Sequence, residues 1–287
     1  LKALPRAQVW MTAPLGLPIS LLASAPGCLA LLVCLCLARR RGGGHPMPAD
    51  RRSLRKTLAA QRDGAAERRL LGFDFDCTLT VKHFYKVFAW GYAQGNVAAH
   101  AHCKAFFSWC EGKRMEPEMR EASDLNDPMC AALEDFCRRC GERAFREAFR
   151  EVFLGGAERI ALVAGWMQRM QQEGVEFAIV TAGTSSAVLR ALTVVPEWQP
   201  FFPASRVWDT SQCRHSVRSV MDAKLLILRD ISPLAQRVLL VDDSLVKDKP
   251  SSWVLSAAGA EVYEGLPYEG PGISEASLEK IERQMLA

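Results

Sequence analysis

Short apolar runs along this chain stop, again and again, at a polar group. Leu70-Leu71-Gly72-Phe73 runs into Asp74-Phe75-Asp76, Phe177-Ala178-Ile179-Val180 ends at Thr181, and Val238-Leu239-Leu240-Val241 ends at Asp242-Asp243. Near-continuous apolar runs of this length predict strands buried on both faces. The pattern predicts strands over 70–75, 175–181, 206–209, 237–241 and 261–263. Apolar spacing of three and four predicts helices over 158–172, 184–192, 219–229, 251–258 and 275–286. Strand and helix alternate, which implies an α/β fold: a parallel sheet with helices on both faces. In such sheets the carboxyl ends of the strands converge on one crevice, where ligands bind.

Residues 84–150 interrupt the alternation. Helical patterns over 131–140 and 142–153 lie there, with breaks at Glu116-Pro117 and Asp127-Pro128. They predict a small helical bundle inserted between the first two strands. The division expected is therefore a leader (1–45), a basic linker (46–68), a catalytic core (69–83 with 151–287) and a helical insertion (84–150).

Composition changes the picture mainly through charge. The 287 residues carry a net +4, with 49% hydrophobic and 24% charged residues, ordinary for a globular chain. Residues 1–69 alone carry +9, which leaves −5 for residues 70–287. The body thus has no basic stripe interleaved with aromatics, and nucleic acid is not an expected partner.

Thr12 to Ala38 holds no charged residue and is followed by Arg39-Arg40-Arg41 and Gly42-Gly43-Gly44. A stretch of that length can span a bilayer, and the basic residues behind it would keep the catalytic body cytosolic. A cleaved signal and an organellar targeting segment are the alternatives for residues 12–38. The chain begins at Leu1, and Met11 is a candidate start.

The polar groups at the strand ends fit phosphoryl transfer. A catalyst for a phosphate ester must neutralise charge, hold phosphorus in line and manage one proton. A carboxylate can attack phosphorus and form an aspartyl-phosphate, a role for Asp74. Asp76, two residues on and so on the same side of an extended segment, suits general acid and base. Thr181 can donate to a phosphoryl oxygen, and Lys224 can set an ammonium against the transferring group. Asp74, Asp76, Asp242 and Asp243 together call for a hard cation, with Mg²⁺ the usual one beside phosphate. Each group alone has an ordinary explanation: a loop Asp-x-Asp, a strand-end Thr, a solvated Lys, a helix-capping acidic pair. Their joint order is what points to chemistry.

Asp74, Asp76 and Thr78, then Thr181, then Lys224, then Asp242 and Asp243 resemble the haloacid dehalogenase (HAD) superfamily, specifically its aspartate-nucleophile phosphatases. The resemblance implies a Rossmann-like sheet, a mobile cap inserted between the first and second motifs, and Mg²⁺. It implies Asp74 as nucleophile and Asp76 as acid/base, with the Asp76 carbonyl also on the metal. It further implies direct ligation by Asp243 and support by Asp242, an order the sequence leaves open, with Asp248 as an additional acidic residue. The expected activity is Mg²⁺-dependent hydrolysis of small phosphorylated metabolites. A protein phosphatase or phosphotransferase of the same superfamily, or a membrane-tethered scaffold without activity, are the alternatives.

Two groups stay outside this scheme. His83, Phe84, Tyr85 and Trp90 follow the nucleophile strand and either face a leaving group or pack. Cys103, Cys110, Cys130, Cys137 and Cys140 lie near His100 and His102, which permits a zinc site, but reduced helix cysteines are the expectation. Ten cysteines so distributed do not resemble a secreted disulfide framework.

Overall fold

The computed structural model describes residues 67–90, 103–111, 128–217 and 219–287. Strand β1 (Arg69–Phe73) lies at the centre of the sheet. On one side it pairs with β2 (Val175–Thr181), which pairs with β3 (Val207–Asp209). On the other it pairs with β4 (Arg237–Val241), followed by β5 (Ala260–Tyr263). All four pairings are parallel and the order is β3-β2-β1-β4-β5. The order reverses at β1, the point at which ligands bind in such sheets.

Successive strand residues face opposite sides, and two helical layers receive them. Leu71, Phe73, Phe177, Ile179, Leu239 and Val241 join one core with α5 (Ala157–Gln172), α6 (Ser185–Leu192) and α9 (Glu275–Leu286). Leu70, Ala178, Val180, Val238 and Leu240 face the other way, onto α7 (Val220–Ile231) and α8 (Ser252–Ala258). Gly72 belongs to this second face. A Cβ there would lie 2.4 Å from a Leu228 methyl, so glycine lets α7 approach the sheet closely.

The insertion contributes α1 (Phe84–Trp90), α2 (Lys104–Glu111), α3 (Pro128–Cys140) and α4 (Glu142–Ala148). Sequence periodicity expects a satellite bundle; the structure instead gives a core continuous with the sheet. Phe84 lies 5.8 Å from Phe75 and 5.1 Å from both Phe149 and Phe153, all edge to face, and Phe88 meets Phe106 and Phe136. These rings belong to the same apolar cluster as Phe73 and Trp166.

Two element boundaries differ from expectation. The first strand, expected to run to Phe75, stops at Phe73, and residues 75–79 form a π-turn in which Cys77 takes φ 56°. The helix expected over 142–153 ends at Ala148, with a second π-turn over 149–153. Among the described residues no helix is long and apolar enough to cross a membrane. The leader over 12–38 lies outside those residues, as do His100 and His102.

Candidate active site

The turn after β1 places both motif aspartates on one cavity of about 390 Å³, together with Thr181, Lys224 and Asp243. Asp74 leaves the strand with its amide still bonded to the Val241 carbonyl at 2.9 Å. Asp74 (φ −67°, ψ 160°) and Asp76 (φ −69°, ψ 129°) both keep extended dihedrals although the strand pairing has ended, and Cys77 then bends into the left-handed region. The loop is fixed from several directions. Thr80 Oγ1 accepts from the Cys77 amide and donates to the Lys82 carbonyl at 2.6 Å, with the Phe75 carbonyl at 3.1 Å as the alternative acceptor. The Arg159 guanidinium donates to the carbonyls of Thr78, Leu79, Leu154 and Ile273. Its burial without a carboxylate bond lowers the Arg159 pKa to about 10. Gly272, at φ 74°, lets the chain pass so near that a Cβ would sit 2.5 Å from the Thr80 carbonyl oxygen.

Lys224 reaches the site from α7. Its ammonium lies 2.7 Å from Asp74 Oδ1 and 2.6 Å from Asp242 Oδ2, and only 1% of the residue is exposed. Burial alone would lower the Lys224 pKa, but Asp242 and Asp74 outweigh it and hold the ammonium charged. The Asp74 carboxyl is pushed well up, first by burial and then by Asp242 and Asp76, with Lys224 opposing. Burial also raises Asp243, against a hydrogen bond from the Glu269 amide at 2.7 Å.

Asp74, Asp242 and Asp243 each offer a carboxylate oxygen within 4.8 Å of the other two, and all three are buried. Three buried carboxylates against one ammonium leave the site short of positive charge, and their oxygens are the donors a hard cation takes. The residues therefore fit a small divalent ion. The two acidic neighbours are not equivalent. Asp242 gives one oxygen to Lys224 and the other to the Ser244 amide at 2.8 Å, whereas Asp243 lines the cavity. Thr78, the last motif residue, accepts from the Asp243 amide at 3.1 Å and ties the first motif to the last.

The Asp76 side chain is outside that acidic triad. Its Oδ1 accepts from the Tyr85 amide at 3.0 Å and lies 3.3 Å from His83 Nδ1. Its Oδ2 would lie 3.8 Å from a Cβ on Gly183, so it faces the loop after β2. Of the aromatic set after β1, His83 and Tyr85 thus line the cavity while Phe84 is buried in the core.

In the loop after β2, Thr181 Oγ1 accepts from the Gly183 amide at 3.0 Å, which leaves the hydroxyl proton to donate. Backbone amides at the start of α6 are already engaged: Gly183 donates to Thr181 Oγ1, and Ser185 donates to Asp209 Oδ2 at 2.9 Å. Asp209 also accepts from the Ser211 amide at 3.1 Å and from Gln212 Nε2 at 3.1 Å. Burial would raise its pKa, and the hydrogen bonds from Ser211, Ser185 and Gln212 more than reverse that. Asp209 ends a strand, the same sequence signal that marks Asp74 and Asp242.

Asp248 lines the cavity but accepts from the Ser219 hydroxyl at 3.2 Å and stands outside the acidic triad. Three more residues that periodicity did not reveal are Lys86, Tyr268 and Glu269. Lys86 pairs with Glu269 at 2.5 Å, which joins the insertion to the segment after β5. Cys103, Cys137 and Cys140 are free thiols, the Cys130 thiol donates to the Ser186 hydroxyl at 3.3 Å, and no cysteine–histidine group is gathered among the described residues.

The sequence matches no protein-family model and no curated protein. Among solved structures, the chain is similar to a HAD family hydrolase of Deinococcus radiodurans with bound phosphate and sodium, at 16% identity over 76% of this chain and 89% of that one, TM-score 0.35. It is similar to a HAD-hydrolase of Bacillus subtilis bound to magnesium, at 16% identity over 78% and 100%, TM-score 0.36. A third is cytosolic 5'-nucleotidase IIIB bound to cytidine, at 13% identity over 82% and 93%, TM-score 0.36. Likenesses this distant leave the functional conclusion to the site's own residues.

Proposed function

We propose that the chain is a Mg²⁺-dependent phosphomonoester hydrolase of the HAD superfamily, acting through an aspartyl-phosphate on Asp74. The observation that carries this reading is the Lys224 ammonium set between Asp74 and Asp242 at 2.7 and 2.6 Å, on a cavity that also holds Asp76, Thr181 and Asp243.

Asp74 Oδ1 is engaged by Lys224, which leaves Oδ2 to attack phosphorus. A bond forms between Asp74 and phosphorus as the bond from phosphorus to the leaving oxygen breaks. Asp76, whose Oδ2 faces the Gly183 loop, delivers a proton to that oxygen. It then takes one from a water that attacks the aspartyl-phosphate, releasing phosphate and restoring the Asp74 carboxylate. Lys224 and the Thr181 hydroxyl balance charge on the phosphoryl oxygens throughout. Asp74, Asp243 and the Asp76 carbonyl would hold Mg²⁺, with Asp242 supporting through Lys224 and the Ser244 amide. When bound, that ion supplies the charge neutralisation the phosphoryl group needs.

The insertion over 84–150 is read as a cap, because its first residues hold Asp76 and line the cavity. Membrane attachment through residues 12–38, with the body cytosolic, remains a proposal from sequence alone, tested by fractionating full-length protein.

The activity test is hydrolysis of para-nitrophenyl phosphate and a panel of phosphorylated metabolites by purified protein with Mg²⁺. A trapped phosphoenzyme that resists hydroxylamine, which cleaves an acyl-phosphate, or full turnover by folded Asp74→Asn, would refute the mechanism; turnover of none of the esters would refute the function.

A further inference from the structure

Besides Lys224, two lysines line the cavity, and they are partnered in different ways. Lys86 is matched by the Glu269 carboxylate at 2.5 Å. Lys247 makes no ion pair among the described residues; its ammonium stands 3.2 Å from the centroid of the Tyr268 ring. A ring face attracts an ammonium but cancels none of its charge. Of the carboxylates on the same wall, Glu269 is paired with Lys86, and Asp248, which accepts from the neutral Ser219 hydroxyl, is not within ion-pair distance of Lys247. Lys249, two residues further on, does have a carboxylate, Glu264 at 3.0 Å. Among the described residues Lys247 is thus the one cavity lysine without an ion-pair partner.

Its place relative to the reacting end is set by the backbone. The short helical turn Asp243–Val246 follows the acidic pair directly, and the Lys247 amide closes it by donating to the Ser244 carbonyl at 2.9 Å. One turn thus carries the proposed metal ligand Asp243 at its start and Lys247 at its end. Val220 and Met221 add an apolar stretch to the same cavity, suited to a short carbon spacer.

We propose that Lys247 is a specificity-determining residue that receives a second anionic group, a carboxylate or a further phosphate, on the leaving-group part of the substrate. The proposal rests on the phosphomonoesterase reading above, with the phosphoryl group at Asp74. Tyr268 holds the ammonium in place, and the N–H groups turned from the ring are the donors the anion meets.

The test is a chain-length ladder read as a ratio within each enzyme. kcat/KM is measured for ω-carboxyalkyl phosphates, for alkane α,ω-bisphosphates and for n-alkyl phosphates of matched length. In the native protein one length should favour the second anion over the plain alkyl ester by about tenfold, the scale of one charge-assisted hydrogen bond. Lys247→Gln should bring that ratio to near one, Lys247→Glu should invert it, and Lys247→Arg should retain part of it. A peak confined to carboxylates or to bisphosphates supports the proposal and names the anion. Alkyl phosphates hydrolysed with a flat ladder, or a ladder unchanged in Lys247→Gln, overturn this proposal and leave the phosphatase reading standing. Hydrolysis of no ester at all overturns both.

Discussion

Lys224 and Asp74 are 150 positions apart in sequence and meet at 2.7 Å where neither residue is more than 5% exposed. The same ammonium bridges Asp74 and Asp242, and among the described residues it is the one buried cation between them. Lys224→Met should therefore damage fold and chemistry together. Leaving buried carboxylates without a counter-charge costs about 3–5 kcal/mol. Urea unfolding should show that loss and an ester assay a drop in kcat beyond about 100-fold. Unchanged stability would mean that the carboxylates do not carry the charge assigned to them.

Asp74→Asn keeps the shape and removes one negative charge from a crowded site, so it should fold. Turnover should vanish, because an amide does not form the acyl-phosphate. Asp76→Asn should instead slow both steps by about 10²–10⁴-fold. Its effect should be smaller for an ester with a good leaving group, which needs less protonation. Equal effects on phenyl and alkyl phosphates would separate Asp76 from leaving-group protonation.

Metal binding can be read without turnover. A ligand that binds only the folded state raises Tm, and Mg²⁺ should do so here. Asp243→Asn should weaken the Mg²⁺ response more than tenfold, and Asp242→Asn less, because both Asp242 oxygens serve Lys224 and the Ser244 amide. Asp242→Asn should lower metal-free stability more. The opposite ranking in a thermal titration would exchange their roles.

Asp209 gives a pH prediction of definite sign. Its folded pKa is depressed by hydrogen bonds that outweigh burial, so its contribution is present above the unfolded value of about 4. That contribution disappears as pH falls through the lower, folded value. Asp209→Asn should cost about 1–3 kcal/mol at pH 7, and the gap to the native protein should narrow towards pH 3. Thermal melts across that range check it. A gap that widens in acid would mean the carboxylate is not the favoured form in the fold.

The strands and most helices were legible because their apolar patterns are local. β2 and β4 fall on the expected residues, and β5 begins one residue early. The same locality marked Asp74, Thr181 and Asp242 as strand-end groups. What escaped depends on distant chain meeting chain. Arg159 reads as one more polar residue on an amphipathic helix, yet it binds carbonyls at Leu79 and Ile273. Glu269 follows a Pro-Tyr pair in a loop, and only folding brings its amide to Asp243. The bend at Cys77 was hidden because cysteine gives no sign of a positive φ, as glycine would. The aromatic residues of the insertion carried helical spacing but no indication that they would share one core with the sheet.

The central position of β1 has a consequence for biosynthesis. Its hydrogen-bonding neighbours begin at Val175 and Arg237, so this strand leaves the ribosome long before either partner exists. Pairings this distant in sequence are slow to form, and an apolar segment waiting for them is exposed to aggregation. Strand β1, which leads into Asp74, is thus made first among the described strands and enclosed only when β4 arrives, which makes nascent chains cut short before residue 237 natural clients of chaperones.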